Sequence, residues 1–404
     1  MGILKKLGPG ILFAGAAIGV SHLVQSTKAG AEFGFGLVWA LILVNLFKYP
    51  FFRFAPQYSL ATGESILKGY YKLSPWVLWV YFILNIATMF TIQTAVTIVT
   101  AGLAANLFNI SIDVITWSFI VTLICVLVLI IGKYKLLDTL MKVIVTTLTI
   151  STVIALVMAI FKTEHQFSFE QVIPSGTAGI AFLIAFMGWM PAPIDVSIWQ
   201  SMWTLEKQKT ASSTPSKTSM IDFNIGYIAA TIIGLLFIGL GALIMYNAEE
   251  TFSSKAAVFA SQLINMYTTH LGDSTYYLIA IAAFTTMFST TLTTTDASPR
   301  VMASSFELLS GKKIKHSYAI WMIILVLGTM AIFLFFLSEM KVLVQIATVL
   351  SFVTAPFYAI INYALITSKH TPKSWQPGIL LRILSYSGII FLIGFGIWYV
   401  IQFF

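Results

Sequence analysis

Charge is scarce in this sequence. Of 404 residues only 9% are Asp, Glu, Lys or Arg, and the acidic residues number 15. Between Pro75 and Ile112 there is no Asp, Glu, Lys, Arg or His at all. A soluble domain of this length carries far more charge on its surface. Cysteine is nearly absent too. The single Cys125 lies in an apolar run, so no disulfide framework can form within the chain and a buried, inert thiol is the plain reading. No His/Cys ligand spacing, phosphate loop or nucleophile–base–acid set is present, so an enzyme is not expected. The first apolar segment runs past signal length without a small-residue cleavage pattern, so no cleavable leader is expected.

What is present is apolar. Hydrophobic residues make up 58% of the chain, and the mean hydropathy is +0.90. Runs long enough to cross a bilayer recur throughout, and at that depth each must be a helix, which satisfies its own backbone. Eleven spans are expected, at about 10–35, 37–62, 75–106, 113–132, 138–161, 178–203, 219–247, 274–308, 317–338, 341–366 and 378–402. The external segment 248–273 has room for a short helix. No linker divides the chain, so residues 1–404 read as one transmembrane domain. Repeat 1 covers about 10–161, repeat 2 about 178–366, and an extra span 378–402.

The net charge of +8 does not point to nucleic acid. Its basic residues cluster between spans: Lys5 and Lys6, Lys68 and Lys72, Lys133 and Lys135, Lys207, Lys209 and Lys217, Lys312, Lys313 and Lys315, Lys369 and Lys373. Every second loop is basic, the positive-inside pattern of a multi-pass cell-membrane protein with a cytoplasmic N-terminus. An odd span count puts the C-terminus outside, in the extracellular or periplasmic space. The lipid bilayer is the expected partner, and the chain is expected to be a monomer.

Two spans are odd. Span 1 carries Gly19-Val20-Ser21-His22 near its middle, and span 6 carries Met190-Pro191-Ala192-Pro193. Five spans separate them. Helices interrupted at matching positions of two halves point to an inverted-repeat transporter with its site at the breaks.

Other stretches are similar to the Nramp family of metal transporters, the natural-resistance-associated macrophage proteins. Gly8-Pro9-Gly10 looks like that family's opening, and Ala29-Gly30-Ala31 with Phe33-Gly34-Phe35 resembles the stretch closing its span 1. Thr62-Gly63, Met190-Pro191, Ser289-Thr290 and Ala355-Pro356-Phe357 fall in order where the family has related motifs. The resemblance implies an all-α membrane protein of the leucine-transporter fold, with an inverted 5+5 repeat and broken helices 1 and 6. It also marks departures. The family's metal-binding Asp and Asn of span 1 fall at Gly19 and His22. Its methionine ligand is kept as Met190, but its span-6 histidines fall at Ala192 and Ser197, and its acidic residues on span 3 have no counterpart. Proton-coupled transition-metal transport is therefore not expected.

The candidate substrate residues are Gly19, Ser21, His22, Met190, Ala192, Asp195 and Ser197. Asp195 reads equally as an intramembrane functional carboxylate and as a cap on the second half-helix. His22 can donate to an anion or satisfy carbonyls of the broken helix. The run Ser289, Thr290, Thr291, Thr293, Thr294, Thr295 is denser than packing requires. In the fold that the resemblance implies, span-8 hydroxyls and span-1 carbonyls can hold sodium, with Ser289, Thr290, Thr293 and Thr294 as ligands. Asp296 and Arg300 stand one turn apart and read as an ion pair or a gate. Trp189, Trp199 and Trp203 read as packing or interface residues.

With the span-1 carboxylate replaced by Gly19, half-helix ends and donors dominate the centre. A small anion such as bicarbonate, driven by sodium, is the leading expectation. A divalent cation, magnesium or manganese, is the alternative, using Asp195 and Met190. An amino-acid-like solute is the third. No cofactor is expected apart from a bound sodium ion.

Overall fold

The structure is a computed structural model that describes residues 9–110, 112–162, 168–210, 216–246, 252–336 and 339–403. Lys5, Lys6, Gly8 and part of the loop 204–218 lie outside the described residues. Among the described residues every regular element is helical.

In chain order α1 is Pro9–Ala17, followed by a π-helical turn Ser21–Ser26 and α2, Thr27–Phe33. Then come α3 (Val38–Thr62), α4 (Ile66–Leu73), α5 (Pro75–Phe108), α6 (Val114–Lys162), α7 (Gly176–Trp189) and α8 (Val196–Thr210). The rest are α9 (Ser216–Ile244), α10 (Ala256–Leu271), α11 (Tyr276–Ser310), α12 (Ser317–Phe335), α13 (Met340–Thr367) and α14 (Ile379–Phe403).

The boundaries follow local chemistry. Thr62-Gly63 ends α3 because Gly63 takes a left-handed φ of 69°. Ser74 caps α5, accepting from the Trp76 N–H at 3.3 Å, with Pro75 at the first helical position. The short α4 was not anticipated. It is amphipathic and buries Ile66, Leu67, Gly69 and Tyr70.

Eight helices among the described residues are long and apolar enough to cross a membrane, or nine if the bent pair Pro9–Ala17 and Ser21–Phe33 is one span. The chain is therefore a multi-pass membrane protein. The expected count of eleven is reached only by adding two shorter apolar helices, Thr146–Phe161 and Gly176–Trp189. The loop expected between spans 4 and 5 is not there. Val114–Lys162 is one helical stretch of 49 residues. No proline falls in it, and Gly132 alone does not break a helix. At ~1.5 Å per residue it is more than twice the hydrocarbon thickness, so it carries two apolar segments in succession.

Close backbone crossings hold both halves of span 1 on α9. A side chain at Gly226 would strike the Gly10 carbonyl, and one at Gly30 would strike the Ile238 carbonyl. In the other direction, a side chain at Gly241 would strike the carbonyl of Thr27. Small residues let membrane helices approach this way. Asp222 of α9 also accepts the Gly10 N–H at 2.8 Å, anchoring the first turn of α1.

Candidate substrate site at the two helix breaks

Span 1 breaks and turns by 47°. The break lies at Ile18–Gly19, slightly earlier than the expected 19–22, since Val20 is already helical and Ser21 and His22 belong to the π-helical turn. Gly19 is a spacing residue. A Cβ there would lie 2.6 Å from Thr290 Oγ1, so glycine lets α11 come up against the break. Ser21 Oγ lies 2.6 Å from Ala17 O and 2.7 Å from His22 Nδ1. His22 Nε2 faces Ala230 O of α9 at 2.8 Å, and since a carbonyl only accepts, this nitrogen carries a proton. His22 thus ties the break to α9.

Span 6 breaks over Met190–Asp195, where the sequence expected Met190–Pro193. Pro191 and Pro193 have no N–H to continue the ladder. The gap is closed by groups from other elements. Trp189 Nε1 donates to Ser351 Oγ of α13 at 2.9 Å. Asn362 Nδ2 donates to Ser197 Oγ at 3.2 Å, and Asn362 Oδ1 accepts from Tyr70 of α4. Met190 Sδ accepts from Ser26 Oγ at 3.7 Å. Asp195 is 3% exposed and stands just before α8, with its Oδ1 unpartnered.

One charged residue here escaped the sequence reading. Lys48, at the middle of α3, is fully buried. Its ammonium donates to Met187 O and Gly188 O, both at 2.7 Å, and to Ala192 O at 3.3 Å.

Between the breaks lies a cavity of about 30 Å³, walled by Ala17, Val20 and Ser21 of span 1, Ala192, Pro193 and Trp199 of span 6, and Thr290 and Thr294 of α11 among others. Of the expected substrate residues, Ser21 and Ala192 reach this wall. Gly19, His22, Met190, Asp195 and Ser197 do not. Trp199, read as packing, does reach it, and its buried Nε1–H has no partner. No acidic side chain lines the cavity, and no group of three or more His, Cys, Asp or Glu among the described residues could hold a metal ion.

The hydroxyl run divides. Thr290 Oγ1 lies 3.5 Å from Gly15 O, 3.4 Å from Ile18 O and 3.2 Å from Thr286 O. Ser289 Oγ, one residue before, bonds Thr286 O at 2.7 Å. One hydroxyl hydrogen cannot serve three carbonyls, so oxygen lone pairs converge at Thr290. Thr293 and Thr294 bond back to Ser289 O and Thr291 O within their own helix, at 2.8 and 2.9 Å, and do not join this cluster. Asp296 and Arg300 pair through Oδ1 and Nη2 at 2.6 Å, and Tyr318 of α12 donates to the same carboxylate oxygen at 2.7 Å.

A wider vestibule of about 530 Å³ sits where α2, α7, α10 and α13 meet, with Lys28 and Lys341 on its wall. Lys28 pairs with Glu32 at 3.4 Å and lies over the Phe182 ring at 5.2 Å.

The family profile described as natural resistance-associated macrophage protein-like matches residues 10–402. The chain belongs to the Nramp family. It is 38% identical over 403 residues to an uncharacterised protein of Pasteurella multocida, covering 98% of this chain and 92% of that one. In fold it is similar to the manganese transporter of Eremococcus coleocola, at a TM-score of 0.70 and 13% identity over 99% of this chain and 94% of that one. It is also similar to MhsT, solved in complex with L-phenylalanine, at a TM-score of 0.66 and 13% identity over 98% of each chain. This Nramp-family chain is therefore a secondary transporter of the leucine-transporter fold, with its two breaks at the helices expected to carry them.

Proposed function

We propose that this protein moves a small oxyanion, with bicarbonate the first candidate, by alternating access and with sodium as the coupling ion. One observation carries the reading. The wall of the cavity between the breaks has Ser21, Trp199, Thr290 and Thr294 as its polar residues and no carboxylate, and the buried Trp199 N–H has no partner. A wall without acids suits an anion better than a dication, which needs negative ligands to offset its lost hydration. The vestibule wall carries Lys28, Lys341 and Glu32, and this net positive charge favours the same sign. Coupling is supported by the oxygens of Gly15, Ile18, Thr286, Ser289 and Thr290, a set of hard ligands of the kind sodium prefers.

A cavity of about 30 Å³ has room for roughly one or two waters. A cargo of four heavy atoms therefore enters only when the half-helices of spans 1 and 6 part. Repeats 10–161 and 178–366, rocking against each other, supply that motion in this reading.

A divalent cation is the second reading. It is favoured by family membership and by the fold shared with a manganese transporter. Proteoliposome uptake of bicarbonate, magnesium and manganese, each with and without a sodium gradient, separates the two. Sodium-dependent bicarbonate uptake is the expected result. Manganese or magnesium uptake that bicarbonate does not require would overturn it.

A further inference from the structure

Lys48 is the most unusual charge in the protein. It sits eleven residues into the 25-residue α3 and is fully buried. An ammonium at that depth is costly and calls for a function. The three oxygens around it come from both sides of the span-6 break. Met187 and Gly188 belong to the last turn of α7, whose carbonyls lack helical partners and carry the negative end of the helix dipole. Ala192 lies within the break itself. Three acceptors around one nitrogen need three N–H groups, which the ammonium has and the neutral amine lacks. Asp195 is close enough for its charge to act on Lys48. Ala192 also belongs to the cavity wall, so the ammonium stands directly behind the cargo site.

We propose that Lys48 is a tethered cation: its ammonium fills a carbonyl cage at the span-6 break that a free cation would otherwise occupy, and so fixes the sign of the cargo. Only the statement about the sign rests on the function proposed above. The cage itself does not depend on it. Removing the side chain should leave a site for a small alkylammonium ion, because the carbonyls stay where α7 and the break hold them.

The test is made on the purified full-length protein in detergent. Melting of Lys48→Ala is followed as methylammonium chloride is added, with tetramethylammonium chloride, which has no N–H, as the control for ionic strength. A saturable rise with methylammonium alone, absent in the parent, is expected. A folded Lys48→Ala without that rise, or an equal rise in the parent, overturns the proposal. Lys48→Gln keeps two donors for the carbonyls but no charge, and covers the case where Lys48→Ala does not fold. It should melt below the parent and regain part of the loss when Asp195→Asn removes the opposite charge. A Lys48→Gln protein that melts like the parent shows that donors suffice and overturns the tethered cation. In proteoliposomes, bicarbonate uptake by Lys48→Gln should fall at least tenfold, and parent-like uptake would refute the claim about sign. If the parent takes up no bicarbonate, the proposed cargo fails, while the melting experiments, which need no cargo, still decide on Lys48.

Discussion

Thr290→Val removes one hydroxyl and nearly conserves volume. The structure makes its consequence specific. Thr290 Oγ1 is the side-chain atom that meets carbonyls of both span 1 and α11, at 3.2–3.5 Å. Thr293, three residues on, is as buried but bonds only Ser289 O of its own helix. A hydroxyl engaged with a charged partner contributes about 1–3 kcal/mol. That is roughly a five- to 150-fold rise in the sodium concentration for half-maximal uptake. Thr293→Val should leave it within about twofold, because a back-bond to the helix carbonyl is of little net worth. Both variants should fold, valine being well tolerated in a membrane helix. The assay is uptake against sodium concentration in proteoliposomes for parent, Thr290→Val and Thr293→Val. Equal half-saturation in all three, or a larger effect for Thr293→Val, would refute the placement of sodium at Thr290.

Trp199→Phe deletes the unpartnered N–H from the cavity while keeping an aromatic ring. Cargo affinity should fall by roughly tenfold or more, the worth of a donor to an anion. The melting midpoint should hold or rise, since a buried donor without a partner is lost. A lower midpoint with unchanged uptake would contradict the role. Gly226→Ala drives a Cβ into the Gly10 backbone and should cost about 1–3 kcal/mol through overpacking. Gly378→Ala, with nothing within 4 Å, should cost little, and the two melts compared in one buffer check the crossing of span 1 on α9. Tyr318→Phe removes the hydroxyl that Asp296 accepts at 2.7 Å and should cost about 1 kcal/mol, with Asp296→Asn costing more because Arg300 also loses its partner. Identical melts for those two would show that the Arg300 pair adds nothing.

The helices and their two breaks were legible because they follow from local chemistry. Apolar length marks a span, and Pro191 with Pro193 must interrupt one wherever the chain packs. Gly19 signalled the first break, but its position shifted because the π-helical turn at Ser21–Ser26 takes up residues that the motif alone assigns to the gap. The missing loop in Val114–Lys162 had no local signal, since Lys133-Tyr134-Lys135 is compatible with helix or turn. Site residues were harder, because neighbours far along the chain decide them. Ser21 and Ala192 line the cavity, whereas Asp195 does not. Lys48 gave one usable sign, a lone lysine inside an apolar run with no acidic residue a turn away, which is costly in a membrane unless paired.

The two breaks hold their shape by different means, and this bears on how the transporter works. At span 6 the open backbone is held by fixed donors: Lys48 on Met187, Gly188 and Ala192, Trp189 on Ser351, and Asn362 on Ser197. Those partners come from α3 and α13 and are buried, so this break is set before any cargo arrives. At span 1 the carbonyls of Gly15 and Ile18 meet the single hydroxyl of Thr290 from α11, at the long end of hydrogen-bond distance. A cation there would add what the protein does not supply, and would draw α1 to α11. In the proposed reading, sodium binding would act differently on the two arrangements of span 1, which is what coupling requires. In that reading one break carries its own positive charge in Lys48, and the other would borrow one from solution.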